Sequence, residues 1–361
     1  MNVIVNPMLP LYIDDSTGSI RLGGLPKTGK IITSEAHELS VLLRTCVYEP
    51  QTIEQIAKLL WSKCGMEPCH VRETIRQLLD EGILVSYSDV AHLETNPRLS
   101  RQAMFFGMFT DADRGVRANE RLANCSVAVL GLGAIGTTVA AQLARAGLGE
   151  LRIVDGDHVD LSNLPRQTLY FLNDVGALKV QAAKDRLQHI NPSLKVVSVD
   201  KYVTTTSEIL DIINGVDFVV STLDEPRREI RRLVNFACVK LNTPCLYAGF
   251  SEYLALVGPL VVPHVTACWK CQELALESDL GSEYVNEDRV VPSFGPLCGL
   301  VGDFSSAEVI KWITEFASAR TLSRTLMFDL VDYSIRIEQW ERRQDCPVCN
   351  GGGIPVETSL D

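Results

Sequence analysis

The stretch Ser126-Val-Ala-Val-Leu130, followed directly by Gly131-Leu-Gly-Ala-Ile-Gly136, decides the fold of this chain. An apolar run typical of a buried strand leads into a helical pattern, with Gly-x-Gly-x-x-Gly at the junction. Gly131, Gly133 and Gly136 permit a tight turn, and they bring free N–H groups at a helix amino terminus close to a bound phosphate. The pattern predicts a strand, turn and helix that bind a nucleotide. The alternative is a turn that serves sheet packing alone.

The neighbouring residues extend this unit into a sheet. Strand-like and helical segments alternate across roughly residues 98–265, which is typical of a parallel α/β fold. Asp155 comes 19 residues after the last glycine, at the end of the strand Leu151–Val154. At that place its carboxylate can accept hydrogen bonds from ribose hydroxyls. NAD and ATP both fit these features.

Charged residues further along the chain favour ATP. Arg166 lies in Asn163-Leu-Pro-Arg166-Gln167, Lys179 begins a helical segment, and Asp224 follows an apolar strand. Displacement at the α-phosphate of ATP requires cations that stabilise the leaving pyrophosphate, whereas an NAD site needs only backbone amides. Asp224 is placed to bind Mg²⁺. Taken singly, these residues have ordinary alternatives: a loop salt bridge for Arg166, a solvated helix position for Lys179 and a helix cap for Asp224.

In their order along the chain, these motifs resemble those of the E1-like adenylating enzymes, the superfamily of ubiquitin activators and bacterial sulfur-carrier adenylating enzymes. The resemblance covers about residues 98–350 and implies a Rossmann-like domain with a mostly parallel sheet, Mg²⁺ bound by Asp224, and catalytic roles for Arg166 and Lys179. The segment Arg98-Leu-Ser-Arg101-Gln102 belongs to the same pattern. It implies that Arg101 reaches the ATP of a second subunit, and therefore a homodimer. The implied nucleotide-binding residues are Gly131, Gly133, Gly136, Asp155, Asp157, Asn163, Arg166, Gln167 and Lys179.

Two Cys-x-x-Cys pairs have the spacing of metal ligands. Cys268-Trp-Lys-Cys271 and Cys346-Pro-Val-Cys349 together offer four thiolates to one tetrahedral zinc ion. Such a zinc would be structural, since four protein ligands leave no open position. Buried thiol pairs and a redox site remain the alternatives, because the two pairs are far apart in sequence.

The chain departs from the ubiquitin-type pattern at the nucleophile. Those activators carry a reactive Cys after the first zinc pair, but residues 272–297 contain none. Cys298 lies in an apolar run, Pro296-Leu-Cys-Gly-Leu-Val, and is expected to pack in the core. We therefore expect the adenylate to pass directly to a nucleophile on the substrate or a partner, without a protein thioester.

The first 88 residues form a different pattern. Extended segments precede two helical patterns at residues 53–60 and 71–79, then Gly82 and a strand, which predicts a winged helix-turn-helix module. We expect a linker over residues 89–97 and the adenylation domain over residues 98–361. The second helix mixes acidic and basic residues on its polar face, unlike the basic stripe of a nucleic-acid reader.

The module instead resembles the peptide-recognition domain found on enzymes that modify ribosomally made peptides. That resemblance implies that a leader peptide adds as an extra strand to the wing sheet and lies against a helix. A dimerisation module without a peptide is the alternative. The expected peptide-binding residues are Ile20, Leu22, Val71, Ile75 and Leu79.

Composition excludes several classes of protein. The chain has 361 residues, 46% of them hydrophobic, and a formal net charge of −11, which argues against disorder and against binding to a phosphate backbone. No apolar run is long enough to span a membrane, and the start has no signal-peptide pattern. Eleven cysteines without such a signal indicate reduced thiols. We expect a cytoplasmic protein that binds neither nucleic acid nor membrane.

A peptide module joined to an E1-like domain without the thioester Cys resembles the microcin C7 branch, which activates carboxyl groups of ribosomally made peptides. The expected products are an acyl-adenylate and pyrophosphate. If the resemblance extends to the enzymes of pantocin A biosynthesis in that branch, a glutamate side chain is activated and a ring forms. One alternative is adenylation of the carboxyl terminus of a ubiquitin-like sulfur carrier. The other is a winged-helix regulator that senses NAD.

Overall fold

The computed structural model describes residues 1–14, 16, 19–24, 30–32, 36–94, 96–226, 229–276 and 292–350. These residues form two compact units, Met1–Asn119 and Glu120–Asp361. The strands are β1 Asn2–Val5, β2 Leu11–Asp14, β3 Ser19–Leu22, β4 Lys30–Ile32, β5 Gln51–Thr52, β6 Leu84–Ser86, β7 Ser126–Leu130, β8 Glu150–Val154, β9 Lys195–Val199, β10 Phe218–Ser221, β11 Cys245–Ser251, β12 Leu254–Val261, β13 Arg324–Asp329 and β14 Ile335–Gln339. The helices are α1 Ala36–Cys46, α2 Ile53–Cys64, α3 Pro68–Asp80, α4 Tyr87–Val90, α5 Ser100–Gly107, α6 Ala112–Ala123, α7 Ala134–Arg145, α8 Lys179–Ile190, α9 Thr206–Ile213, α10 Glu229–Leu241, α11 Trp269–Leu276 and α12 Gly295–Thr314.

The second unit is built on an eight-stranded sheet with the order β14-β13-β12-β11-β10-β7-β8-β9. The five strands from β11 to β9 are parallel, whereas β12, β13 and β14 join antiparallel. The chain runs from β7 through β8 to β9 on one side, then returns to place β10 and β11 on the other. Open sheets of this kind bind ligands where the direction of strand addition reverses. The predicted Rossmann-like α/β fold is confirmed.

Helices cover both faces of this sheet. Val129 of β7 packs in a cluster with Val139 of α7 and Val301 of α12, while Leu130 packs on the opposite face with Ile209 of α9 and its neighbours. Burial on both faces explains why β7 is apolar from Val127 to Leu130 and shows no alternation of polar residues. Among the described residues, none of the helices has both the length and the apolar character that crossing a bilayer requires.

The first unit contains two small antiparallel sheets, β5-β1-β6 and β2-β3-β4, with helices α1 to α3. Thr52 and Gln55 form a capping box at the start of α2. Gly65 ends α2 in the left-handed conformation with φ 69°. Leu42, Ile56 and other apolar side chains of these helices and strands share one core.

The predicted peptide surface requires correction. Ile20, Val71 and Ile75 are at most 1% exposed and Leu22 is buried, while Leu79 is half-buried against the same core. Their apolar periodicity reflects packing of the helices on the sheet, which leaves no room for a partner. Moreover, β3 is paired on both sides, with β2 and β4, so it has no edge to which a peptide strand could add.

The predicted linker over residues 89–97 is also more ordered than its polar composition indicates. It contains the end of α4 and a 3₁₀ turn over Ala91–Glu94. Val90 and Leu93 are buried and pack with Ala103 of α5. This packing explains why the first compact unit extends past residue 98, where the sequence analysis places the start of the adenylation domain.

Candidate nucleotide-binding cleft

A cleft of about 750 Å³ opens at the carboxyl ends of β7, β8, β9, β10 and β11. Among the residues predicted from the sequence, it brings together Gly131, Gly133, Asp155, Asp157, Asn163, Arg166, Gln167, Lys179 and Asp224. Gly136 does not line the cleft. Arg101 lies in the first unit, exposed on α5.

The three glycines of the turn have different roles. Gly131 has a φ of 94°, which other residues rarely adopt. A Cβ at Gly136 would lie 1.9 Å from the carbonyl oxygen of Gly131, so this glycine allows close packing of the helix on the turn. A Cβ at Gly133 would meet nothing within 4 Å, because Gly133 faces the cleft just before α7 begins. The turn therefore leaves the amino terminus of α7 open to a phosphate.

The carboxylate of Asp155 is fixed by backbone groups on both sides. Its Oδ2 accepts a hydrogen bond from the N–H of Leu132 at 2.7 Å, and its Oδ1 accepts one from the N–H of Asp157 at 2.9 Å. Burial raises the pKa of Asp155, an effect that the charge of Lys179 and these two N–H groups oppose. The bonds tie the glycine turn to the end of β8, where a ribose is expected.

Lys179 is buried at the start of α8 and is not the solvated helix residue that was one alternative. Its Nζ lies 2.7 Å from Oδ2 of Asp157 and 3.8 Å from Oδ1 of Asp155. Burial raises the pKa of Asp157, but hydrogen bonds from Lys179 and Tyr202 outweigh it, so the net shift of that pKa is downward. The lysine thus neutralises two carboxylates that would otherwise repel a triphosphate.

The loop from Asp160 to Gln167 forms a second wall. Asn163 caps the turn, since its Oδ1 accepts a hydrogen bond from the N–H of Asp160 at 3.0 Å. Arg166 donates to the carbonyl of Ser162 and makes no ion pair within the part of the chain that the structure describes. Gln167 is buried, and its Oε1 has no hydrogen-bond partner there. A guanidinium without an ion pair and an amide oxygen without a hydrogen-bond partner in the described residues leave polar groups available to a ligand.

Asp224 is exposed in the loop after β10, and no hydrogen bond or ion pair engages it within the described ranges. Thr222, two residues earlier, donates to the carbonyl oxygens of Leu130 at 3.1 Å or Gly131 at 2.9 Å. This bond holds the end of β10 against the glycine turn. An exposed carboxylate beside a phosphate-binding turn fits Mg²⁺, which pairs one or two protein carboxylates with phosphate oxygens and water.

Several cleft residues were missed by sequence reasoning. Tyr202 follows β9, donates its phenolic hydrogen to Asp157 and packs on Gly156 so closely that a Cβ there would lie 2.6 Å from its ring. Its position after a parallel strand is a signal that could have revealed it. Arg231 and Phe250 also line the cleft, yet both lie within regular elements and carry no local motif.

The four predicted zinc ligands converge. The Sγ atoms of Cys268 and Cys346 are 3.6 Å apart, those of Cys271 and Cys349 are 3.5 Å apart, and all four lie within 4.8 Å of one another. Tetrahedral Zn–S bonds of about 2.3 Å place sulfurs roughly 3.8 Å apart, which this arrangement matches. All four thiols are buried, so the donor set and geometry fit a closed, structural zinc site.

The remaining thiols near the sheet do not reach the cleft. Cys298 is fully buried in α12, as predicted, and burial raises the pKa of its thiol. Cys238 is buried as well, and its hydrogen bond with Cys245 and desolvation raise its pKa. No cysteine is among the described residues that line the cleft.

The family of this chain follows from its similarity to known proteins. The model of the ThiF family matches residues 99–348. The chain belongs to the ThiF family. The sulfur carrier protein ThiS adenylyltransferase of Escherichia coli is 31% identical over 257 residues, which cover 70% of this chain and 95% of that protein. The sulfur carrier protein adenylyltransferase of Thermus thermophilus is 32% identical, over 68% of this chain and 89% of its own length.

This ThiF-family chain is an ATP-dependent adenylating enzyme. Its fold is also similar to solved structures of E. coli MccB. A structure of MccB with ATP aligns with a TM-score of 0.78 and 23% identity, over 97% of this chain and 100% of MccB. The microcin C7 biosynthetic enzyme MccB in complex with N-formylated MccA aligns with a TM-score of 0.77 and 23% identity, over the same shares.

Proposed function

We propose that this enzyme adenylates a carboxylate of a ribosomally made precursor peptide, which its first unit binds through a leader segment. The observation that carries the proposal is a groove of about 420 Å³ in that unit, beside strand β4. MccB, which has been solved with the peptide MccA, shares the fold over 97% of this chain and so has a counterpart for most of both units.

The groove has the form that strand addition requires. Among the described residues β4 is an edge strand, because the sheet order is β2-β3-β4. An added strand can therefore pair with its free backbone edge and lie against the adjacent helices. Thr74 and Gln77 of α3 and Glu38 of α1 line the groove opposite β4.

Both apolar and charged side chains line this groove. Leu39, Leu42 and Leu78 form an apolar floor, and Ile31 of β4 is 58% exposed beside it. Lys30 and Glu81 form an ion pair of 2.6 Å that joins β4 to the residue after α3. A leader with apolar residues at alternate positions fits such a surface, since alternate side chains of an added strand point to one face.

The chemistry follows from the cleft. An oxygen of the peptide carboxylate attacks the α-phosphorus of ATP, the bond from that phosphorus to the bridging oxygen breaks, and pyrophosphate leaves. Arg166 and the amino terminus of α7 stabilise the charge of the phosphates. Asp224 would hold Mg²⁺, which would supply further positive charge there. Lys179 offsets the carboxylates beneath them. A nucleophile within the peptide then displaces AMP; with a glutamate side chain as the activated group, that step closes a ring.

The test is pyrophosphate exchange with synthetic peptides encoded by short reading frames beside the gene. We expect exchange of radiolabelled pyrophosphate into ATP that depends on one such peptide. The variant Thr74→Arg, which fills the groove, should raise the peptide KM at least about tenfold and leave the ATP KM unchanged. The matched control Arg72→Ala, on the exposed face of α3, should behave as the wild type. Exchange without any peptide dependence would refute the proposal.

A second candidate is adenylation of a sulfur carrier protein, which the names of the most similar sequence relatives favour. The same assay with a purified ThiS-type carrier separates the two. Exchange that depends on the carrier and not on a peptide would establish this second function. It would also leave the groove of the first unit without a role.

We further propose that the active form is a homodimer in the cytoplasm, in which Arg101 of one subunit reaches the triphosphate bound by the other. An exposed arginine on α5 suits this role, since long cations of a partner subunit can complete a phosphate site.

A further inference from the structure

Arg231 lies on the side of the cleft opposite Asp155, the carboxylate that is expected to bind the ribose. In the sheet order β11-β10-β7-β8-β9, Asp155 follows β8, whereas Arg231 belongs to α10, after β10, and lies against Gly249 of β11. The nucleoside is expected over β7 and β8 and the phosphates over the glycine turn. The ends of β10 and β11 then remain for the second substrate.

The guanidinium of Arg231 lies close to Trp269 and Gly249. Its carbon lies 4.8 Å above the centre of the Trp269 ring, within the range of a cation–π interaction. Gly249 also leaves space for the guanidinium, because a Cβ there would lie only 3.1 Å from Nη2 of Arg231. Stacking of this kind fixes the plane of a guanidinium and leaves its N–H groups free to bind.

No acidic side chain lies within ion-pair distance of Arg231 in the described ranges of the chain, and it makes no hydrogen bond there. Burial lowers the pKa of Arg231, and the charge of Asp224 opposes this. A guanidinium nevertheless stays protonated in proteins. A desolvated cation that faces a cleft without a carboxylate partner is costly unless a ligand supplies the anion.

Trp269 is itself fixed by the cysteine cluster and by α10. It follows Cys268 directly, its backbone N–H donates to Oδ1 of Asn235 at 2.9 Å, and its Nε1 donates to Glu273 at 3.2 Å. Asn235 lies one turn after Arg231 on α10. The segment that carries Cys268 and Cys271 therefore holds the Trp269 ring against the guanidinium.

We propose that Arg231 binds the carboxylate of the second substrate, with Trp269 as its positioning residue. One carboxylate oxygen attacks the α-phosphorus, and the guanidinium donates to the other, which becomes the carbonyl oxygen of the acyl-adenylate. Orientation of this kind holds the attacking oxygen toward the phosphorus. The assignment rests on the proposed function only in that the second substrate is a carboxylate. It does not depend on whether a peptide or a carrier protein supplies it.

The test compares two nucleosides, 5′-O-sulfamoyladenosine and 5′-O-[N-(N-acetylglycyl)sulfamoyl]adenosine. The acyl group of the second also makes the sulfamoyl nitrogen an anion, and ATP is the control for negative charge. The second is a stable mimic of an acyl-adenylate. We expect Arg231→Gln to weaken binding of the acylated probe about 10- to 100-fold, while the unacylated probe and ATP change less than about threefold. Arg231→Lys should recover only part of the loss, because an ammonium lacks the planar fork.

Trp269 provides a second, independent variant. Trp269→Leu should weaken only the acylated probe, by about three- to tenfold, and Trp269→Phe should restore most of its affinity. Unchanged binding of sulfamoyladenosine in each variant shows that the cleft is folded. Equal losses of affinity for both probes, or a loss confined to ATP, would overturn the assignment. Such a result would indicate that Arg231 binds the phosphates. A wild type that binds both probes equally would overturn it too.

A failure of the proposed function can be distinguished from a failure of this assignment. If wild-type enzyme shows no peptide-dependent pyrophosphate exchange, peptide adenylation fails. The acyl-dependent loss in Arg231→Gln can still stand, because it is measured by binding without a peptide.

Discussion

The Nζ atom of Lys179 lies 2.7 Å from Oδ2 of Asp157, and the lysine is buried while the aspartate is partly exposed. The pair stands at the ribose end of the cleft, where Asp155 adds a second carboxylate 3.8 Å from the same nitrogen. A lysine predicted to act on the triphosphate is thus also the counter-ion of the groups expected to hold the ribose. Nucleotide affinity and protein stability are therefore coupled through one side chain.

Lys179→Ala should abolish AMP formation and also destabilise the protein. Removal of the ammonium leaves Asp155 buried without its cation, so we expect the free energy of unfolding to fall by about 1–3 kcal/mol. Affinity of the first unit for its peptide should stay unchanged. Lys179→Arg, which keeps the charge, should recover most of the stability. Chemical denaturation and peptide titration measure both effects, and parallel loss of peptide affinity would contradict the assignment.

Asp224→Asn should remove magnesium-dependent activity without a stability change. Its carboxylate is exposed and makes no bond in the described ranges, so the free energy of unfolding should stay within about 0.5 kcal/mol of wild type. Adenylation at saturating ATP should fall at least about 100-fold. Asp211→Asn, an exposed position on α9, is the matched control. Retained activity in Asp224→Asn at ordinary magnesium concentrations would show that other groups bind the metal.

Glu208 contacts Lys201 and Thr204, two residues that line the cleft, and these contacts should weaken in acid. Hydrogen bonds from the backbone of Thr204, followed by the bond from Lys201, lower the pKa of Glu208 to about 2. Because the folded pKa lies below the unfolded value, this stabilisation is complete above about pH 4.5 and is lost as the pH falls toward 2.

Glu208→Gln should therefore be less stable than wild type at pH 7, by no more than about 1 kcal/mol because the ion pair is partly exposed. The difference should shrink as the pH falls below 4.5. Denaturant titrations of both proteins at several pH values measure it. A difference that is independent of pH would assign the effect to packing.

The purified enzyme should contain one zinc ion per chain, and the zinc should be structural. Cys346→Ser should lose the metal and lower Tm, since a structural zinc site contributes directly to folding. The control Cys69→Ser changes an exposed thiol in the first unit and should keep both. Elemental analysis together with thermal unfolding decides this. A wild type without zinc but with a Cys268–Cys271 disulfide would favour the redox alternative.

Complementation between two inactive variants tests the proposed dimer. Arg101→Ala and Lys179→Ala should each be inactive alone, yet a mixture that exchanges subunits should regain about a quarter of wild-type activity. The gain is expected because each mixed dimer contains one intact site. A mixture that stays inactive despite proven subunit exchange would place Arg101 in its own subunit's site or outside the mechanism.

The nucleotide turn and the cysteine cluster were predictable for one reason. Each combines short-range spacing with a chemistry that few other arrangements satisfy: glycines between a strand and a helix, and cysteines in two close pairs. Asp155 was predictable because the ends of parallel strands share one edge. The peptide surface was mispredicted because an apolar stripe on a helix looks the same whether it faces a partner or the core, and Val71 and Ile75 face the core.

The sequence by itself determined the α/β fold, the glycine turn and several of the polar residues that line the cleft, because local patterns encode strands, helices and their ends. Only the tertiary structure decided what those groups contact. It paired Lys179 with Asp157, left Arg231 facing the cleft over Trp269, and made β4 the edge of its sheet. These relationships join residues that are distant in the chain. They follow from how helices and strands pack, which no short stretch of sequence specifies.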